Sequence, residues 1–420
     1  MSLFCETMRR EVALSEKQVA VIGAGASGLV AAIECARNGA ETTLYEAGHR
    51  LGTKILKTGN GRCNLSNSAI EPGWDFKGYN NPAFVQEALG ELGCAAIRGF
   101  FESIGLLTFE DSEGRIYPVT NSAASVVEAL AWECRRLRVY IKTDCKVHGV
   151  RAANDDDRER LGAQGDWVVT VDDGSEAVFD KVIVATGNSF KVPARLALPI
   201  DSKSFVLGPL ATSGNATEAM DGVRIRARVT LRSGGEVAFS DTGEVLFRKY
   251  GVSGIVIFDC SRYANYGDEI SLDLVPFLSE EELAADLETR NERYRMLRQT
   301  SKALLAALSG LIHGQAIPAI LDYCGVDVDD PPRELPVDDL AFALKNFELT
   351  IADLPGADNA QVTRGGVSTE AVDGKTLESL GRPGIYVCGE ALDVDGACGG
   401  FNLHWAWGSG LVAARSACIS

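Results

Sequence analysis

The stretch that most limits what this chain can fold into lies near its start. Gln18-Val-Ala-Val-Ile22 runs straight into Gly23-Ala-Gly25-Ala-Ser-Gly28, and a run of helix formers from Leu29 to Asn38 then stops at Gly39. Thr42–Tyr45 follows, with Glu46 at its end. A short β-branched apolar run predicts a buried parallel strand, and Thr42–Tyr45 predicts a second one. Each glycine has its own task. Gly23 allows the tight strand-to-helix turn, Gly25 removes a Cβ so that backbone can approach a diphosphate, and Gly28 lets the helix pack close to the sheet. The helix start offers unpaired N–H groups and partial positive charge to phosphates. Glu46 stands where an acid accepts hydrogen bonds from ribose hydroxyls and repels a 2′-phosphate. Strand, turn, helix, second strand and terminal acid together predict a bound dinucleotide, either FAD or NAD.

Two later stretches favour FAD. Trp167–Val171 and Glu176–Phe179 flank an Asp-Asp-Gly turn and predict a hairpin. The strand Asp180-Lys-Val-Ile-Val-Ala185-Thr186-Gly187 follows it. From the far end of the chain, Gly384-Ile-Tyr-Val-Cys-Gly389-Glu390 predicts a further strand and loop. A glycine turn and a helix from Leu403 to about Ala417 come next. A helix start at Gly400–Asn402 can face the ring atoms on which charge develops when a flavin is reduced, and Glu390 can bond the ribityl chain. An NAD domain has no use for a strand from the far end of the chain placed in this way.

Further motifs carry a family resemblance. Thr58-Gly-Asn-Gly-Arg-Cys-Asn-Leu-Ser-Asn67 resembles a signature of the HI0933-like (BaiN/YhiN) family of NAD(P)/FAD-dependent oxidoreductases. Gly114-Arg-Ile-Tyr-Pro118, Val362-Thr-Arg-Gly-Gly-Val367, Gly389–Gly396 and Gly399–Gly408 match in the expected order, so the resemblance spans 19 to 415. It implies an α/β fold: a Rossmann-type FAD-binding domain with a parallel sheet, interrupted by an inserted β-rich, barrel-like unit and a helical unit. The expected division is 1–194 with 356–420 for FAD, 195–277 with 337–355 for the β-rich substrate side, and 278–336 for the helices. The resemblance also implies non-covalent FAD held by Gly23, Gly25, Ala26, Ser27, Gly28, Glu46, Ala47, Lys54, Thr58, Gly59, Asn60, Gly61, Arg62, Cys63, Asn64 and Val147. Ala185, Thr186, Gly187, Gly389, Glu390, Asp395, Gly400, Phe401, Asn402 and Leu403 complete that set.

In the middle, Val223–Leu231, Glu236–Ser240, Glu244–Phe247 and Ile255–Cys260 read as strands, with Gly234-Gly235 and Thr242-Gly243 as turns. Ser279 caps a long helix to about Arg298, shorter helices run through Tyr323, and Asp338–Lys345 is a short helix before a strand at Phe347–Leu354. Asp155–Arg160 reads as a solvated loop tip. The first residues read as a short leader to the first strand.

The formal net charge of −17 sets the chain against nucleic acid and anionic membrane surfaces. Eleven cysteines, an odd number with no CxxC pair, argue against a disulfide framework or a zinc ribbon and for reduced thiols in a cytoplasmic protein. No His/Asp/Glu spacing suggests a metal site.

Arg62 reads as a cation at the cofactor, since flanking glycines allow close approach. Cys63 and Cys398 read as packing thiols, because no partner cysteine is near in sequence. Candidates for proton chemistry are His404, Lys249 and Tyr250. Lys249-Tyr-Gly-Val-Ser-Gly-Ile255 departs from the HxGxSGP of many relatives, and His404 stands where many have glutamine. The resemblance implies hydride transfer, NADH or NADPH being the possible donor, through FAD to a C=C conjugated to a carbonyl of a small molecule, such as a steroid- or bile-acid-like enone. An aminoacetone-type amine oxidase and a non-catalytic flavoprotein serving a partner are the alternatives.

Overall fold

The computed structural model describes residues 17–74, 76–297, 302–327 and 331–419. The expected leader and the end of the long helix at Arg298 fall outside them. Packing groups the chain into two compact units. One runs up to Ser204 and resumes at Thr363, and the other is Phe205–Val362.

In the first unit β1 (Gln18–Ile22) leads through α1 (Ala26–Arg37) to β2 (Glu41–Tyr45). Val19, Ala20 and Val21 are fully buried, as befits a central parallel strand covered on both faces. β3 (Tyr140–Lys142) pairs β2, β4 (Lys181–Val184) pairs β1, and β5 (Ile385–Val387) pairs β4, all in parallel. The sheet order is therefore β5-β4-β1-β2-β3. The order reverses at β1, so the turn after it opens at the switch point, where ligands enter open α/β sheets. The expected hairpin pairs Trp167–Val171 with Glu176–Phe179, and Val147–Ala152 adds a third strand to it. A small sheet of Ser66–Asn67, Arg115–Pro118 and Thr108–Glu110 anchors the glycine-rich loop before residue 66. The C-terminal helix α2 (Phe401–Ile419) packs its buried face on α1.

The second unit is built on a closed antiparallel barrel of six strands. Their order is 210–212, 251–253, 236–248, 224–233, 269–273 and 347–353. Helices Glu280–Leu297, Ala303–Leu308, Ile317–Tyr323 and Val337–Lys345 share its core: Leu283, Leu287 and Ile320 lie buried in one cluster with Val229, Phe247 and Leu272.

Three local expectations are corrected. Asp155–Leu161 is a helix, because Asn154 and Asp157 form a reciprocal capping box and Gly162 closes it in the left-handed region. Ile255–Cys260 is also a helix: Gly254, at φ 112, ends the preceding strand, and a short apolar run has no period to tell strand from helix. Glu236–Arg248 is one strand with no turn at Thr242-Gly243. A Cβ on Gly243 would lie 2.8 Å from the Cβ of Val256, so glycine is present to admit that helix.

The two readings of Gly243 predict different variants. If it served a turn, Gly243→Asn would be tolerated. Close packing predicts instead that Gly243→Asn and Gly243→Val both destabilise, by about 1–3 kcal/mol. A thermal or denaturant melt decides it.

Candidate functional site

The three glycines after β1 are glycine for different reasons. A Cβ on Gly23, at φ 105, would lie 2.4 Å from the Ala185 carbonyl oxygen, and one on Gly28 would lie 1.8 Å from that of Gly23. Those two serve the turn and the packing of α1. Gly25 is not required by either. Its backbone, at φ −81 and ψ −162, suits any residue, and a Cβ there would meet nothing within 4 Å. The demand for a bare Cα therefore comes from outside the chain. The first intrahelical bond of α1 is Leu29 N–H to Gly25 C=O, so the N–H groups of Ala26, Ser27 and Gly28 have no partner along the helix. Bare Cα, free N–H groups and helix dipole fit a diphosphate.

Glu46 sits beside this turn. Ala24 N–H donates to its Oε2 at 3.0 Å and Gly48 N–H to its Oε1 at 2.8 Å. Each oxygen keeps lone-pair capacity for ribose hydroxyls. Ala47 is exposed next to it, and Cys145 N–H donates to the Glu46 carbonyl, bringing the start of the strand at Val147 nearby. Ala185, Thr186 and Gly187 close the other side at the end of β4, and Ala185 N–H bonds Ile22 C=O.

The far end of the chain meets this turn at Ser27. A Cβ on Gly389 would lie 2.4 Å from Ser27 Oγ, and one on Gly410 2.5 Å from the Ser27 carbonyl oxygen. Glu390 accepts from Lys54 Nζ at 2.7 Å and from Thr363 N–H at 2.9 Å. Two carboxylate-anchored loops thus come from opposite ends of the sequence.

The Thr58–Asn64 loop joins them. Gly59, Asn60, Gly61 and Cys63 all have positive φ, and Asn60 and Cys63 are not glycine. Such strain persists where the surroundings impose it and gathers at functional sites. Arg62 lies over the Tyr117 ring, 4.3 Å from its centroid, and its Nη2 donates to the phenol oxygen at 3.3 Å. Asn67 Nδ2 donates to Gly399 C=O, and a Cβ on Gly400 would lie 2.3 Å from Ser66 C=O. At the start of α2, His404 N–H is the first to bond back, to Gly400, which leaves Phe401, Asn402 and Leu403 N–H groups for a second anion-favouring helix start. The Asn402 side chain bonds Gly396 at both N–H and C=O and fixes the loop.

Some candidates receive other roles. His404 is fully buried; its Nδ1 faces Ser66 Oγ at 2.8 Å and its Nε2 faces Leu92 C=O at 2.9 Å. A carbonyl only accepts, so Nε2 carries the hydrogen and Nδ1 accepts from the serine. Burial drives its pKa down to about 4, against a smaller upward pull from Leu92. The ring is a neutral core strut and does not protonate a substrate. Cys63 is buried, and its thiol is pushed up to about 12 by burial despite a hydrogen bond with Thr58, which removes thiolate chemistry. Asp395 is fully buried, with Arg364 Nε on Oδ2 at 2.7 Å and Nη2 on Oδ1 at 3.1 Å, so its carboxylate braces the loop. Lys249 and Tyr250 are exposed on the barrel unit: Asp221 accepts from Lys249 N–H, and Thr212 N–H donates to Tyr250 C=O. Tyr117, Asn67 and Arg364 also hold this arrangement, and the quoted motifs contain all three without singling them out. A motif shows its residues but not which side chain lies under which loop.

The sequence model of one family, described as "HI0933-like protein Rossmann domain", matches residues 17–416. A 3-dehydro-bile acid delta(4,6)-reductase from Clostridium scindens is 34% identical, over 95% of this chain and 98% of that protein. Ribosomal RNA dihydrouridine synthases from Escherichia coli K12 and Haemophilus influenzae are 28% and 26% identical. Each covers 94% of this chain, and the matches take in 98% and 97% of those proteins.

Two outcomes follow from the site. Gly25→Val leaves the melting of the cofactor-free protein within about 0.5 kcal/mol but weakens FAD binding at least about tenfold, read by quenching of flavin fluorescence. Unchanged affinity contradicts the reading of Gly25. For His404, the folded value of about 4 lies below the ordinary 6.5. The unfolded chain therefore takes up a proton that the core refuses as pH falls from 6.5 to 4, and about 3 kcal/mol of stability is lost across that window. His404→Gln flattens this acid limb in melts run against pH.

Proposed function

This chain belongs to the HI0933-like family. From that premise we propose that it passes hydride from NADH or NADPH through the flavin to a C=C conjugated to a carbonyl in a small molecule. The relative at 34% identity, aligned over nearly the whole of both chains and named for reducing a dehydro-bile acid, is the observation that carries this reading. Chemistry gives it further support. Making dihydrouridine also saturates a C=C conjugated to a carbonyl, so the names of both kinds of relative describe one electrophile. That favours a reductase over an amine oxidase. The charge of −17 favours a small enone over an RNA phosphate chain.

In this reading bound FAD supplies the hydride chemistry, and the protein holds and tunes it. Gly25 and the free N–H groups of Ala26–Gly28 hold the diphosphate, and Glu46 fixes the ribose. The Thr58–Asn64 loop and the start of α2 hold the ring end. Lys249 or Tyr250 orients the substrate carbonyl or delivers the proton that accompanies hydride, because His404 is committed to the core. The described cysteines are free thiols, which fits a reducing cytoplasm, and no helix among the described residues is long and apolar enough to cross a membrane.

Anaerobic mixing tests the proposal. NADH or NADPH bleaches the flavin, and a 4-en-3-one steroid restores its colour without oxygen. Tyr250→Phe or Lys249→Ala slows the second step about 10²-fold and leaves the first unchanged. Bleaching by aminoacetone with peroxide formed in air, and none by either nicotinamide, would establish the oxidase instead.

A further inference from the structure

Two thiols meet where α2 packs on α1. Cys35, near the end of α1, is fully buried, and Cys418, in the last turn of α2, is half-buried. Cys418 Sγ lies 3.8 Å from the Cys35 carbonyl oxygen, and Cys35 Sγ lies 4.0 Å from that of Ala414. Each thiol thus reaches the backbone of the other's helix. The contact is pinned around them: Arg415 Nε donates to Glu34 Oε1 at 2.7 Å, and Lys17 Nζ donates to Cys418 C=O at 3.1 Å.

The two sulfurs differ chemically. Hydrogen bonding from Cys35 holds the Cys418 thiol below its ordinary range, with a smaller contribution from Lys17, against the opposing effect of burial. Cys35 is held well above it, first by the same bond and then by burial. Solvent reaches the half-buried Cys418 sulfur and not the fully buried Cys35 sulfur, so a peroxide meets Cys418 first. This pairs an accessible attacking thiolate with a resolving thiol in contact, the arrangement of oxidation-sensitive cysteines. Cys388 is a third thiol near Cys35, but burial pushes it up to about 12.

We propose that Cys418 and Cys35 are an oxidative modification site for hydroperoxides, closing as a disulfide that staples α1 to α2. The Cys418 thiolate attacks the peroxide. An S–O bond forms, the O–O bond breaks, and the distal oxygen leaves and is protonated to water or an alcohol. The sulfur is oxidised by two electrons, to a sulfenic acid. The Cys35 thiol then loses its proton and attacks that sulfur; the S–S bond forms, the S–O bond breaks, and water leaves. The cross-link joins the helix that starts at the phosphate-binding turn to the helix that starts at Phe401. It thus fastens both ends of the candidate site, and it does not depend on which substrate the enzyme reduces.

The test uses the full-length, FAD-loaded protein. It is treated with a few equivalents of hydrogen peroxide, alkylated, digested and analysed by mass spectrometry. The expected result is a peptide pair joined through Cys35 and Cys418, released by dithiothreitol, and a reversible rise in Tm of about 5 °C. Cys418→Ser shows neither. Cys35→Ala, if it folds, leaves Cys418 to proceed to sulfinic acid. Complete alkylation of both thiols after treatment overturns the proposal. So does a link from Cys418 to Cys5 or Cys388, or sulfinic acid at Cys418 in the wild-type protein with no cross-link.

Discussion

The site depends on a close approach at Ser27. Its carbonyl lies under Gly410 and its hydroxyl under Gly389, where any added methyl would come within 2.5 Å of it. No side chain separates α1 from α2 or from the loop after β5 at that point. Only glycines permit the contact, and it brings the last strand and helix of the chain against the turn near its start. Gly389 N–H donates to Ser409 Oγ, and Trp405 Nε1 donates to Gly389 C=O, so the approach is also held by buried hydrogen bonds. Buried bonds of this kind are costly to leave unmade, which makes the arrangement hard to distort.

Electrostatics follow from that approach. The chain as a whole is strongly acidic, yet the site gathers two helix starts with N–H groups that have no partner along the helix, together with Lys54 and Arg62. An anionic cofactor is thus met by local fields of the opposite sign, while the molecule's net charge disfavours polyanionic partners. Glu46 and Glu390 supply the acceptors, and each is aimed by backbone N–H donors. The positive-φ residues of the Thr58–Asn64 loop are imposed between Tyr117 below and the Asn67–Gly399 contact beside it.

The framework was legible where one residue type had one physical use. Strand, glycine turn, helix and acid follow from what a diphosphate and a ribose require, and the hairpin at Asp172–Gly174 from its turn residues. Short segments misled where two forces compete. Ile255–Cys260 has strand-like composition but begins after a left-handed Gly254, and Gly243 looked like a turn residue while serving a packing contact. His404 misled for a different reason. Its role is set by Ser66 and Leu92, which are remote in sequence, and nothing local marks a histidine that will be enclosed. The pairing of Arg364 with Asp395 and of Arg62 with Tyr117 is likewise a product of the fold.

The central claim is that both ends of the chain close on one flavin dinucleotide. Amide hydrogen exchange with and without FAD tests it most directly. The account predicts that FAD slows exchange together in 23–28, 58–64 and 389–403, with one shared dependence on FAD concentration. Protection confined to 23–28, with 389–403 exchanging as in the free protein, would contradict it.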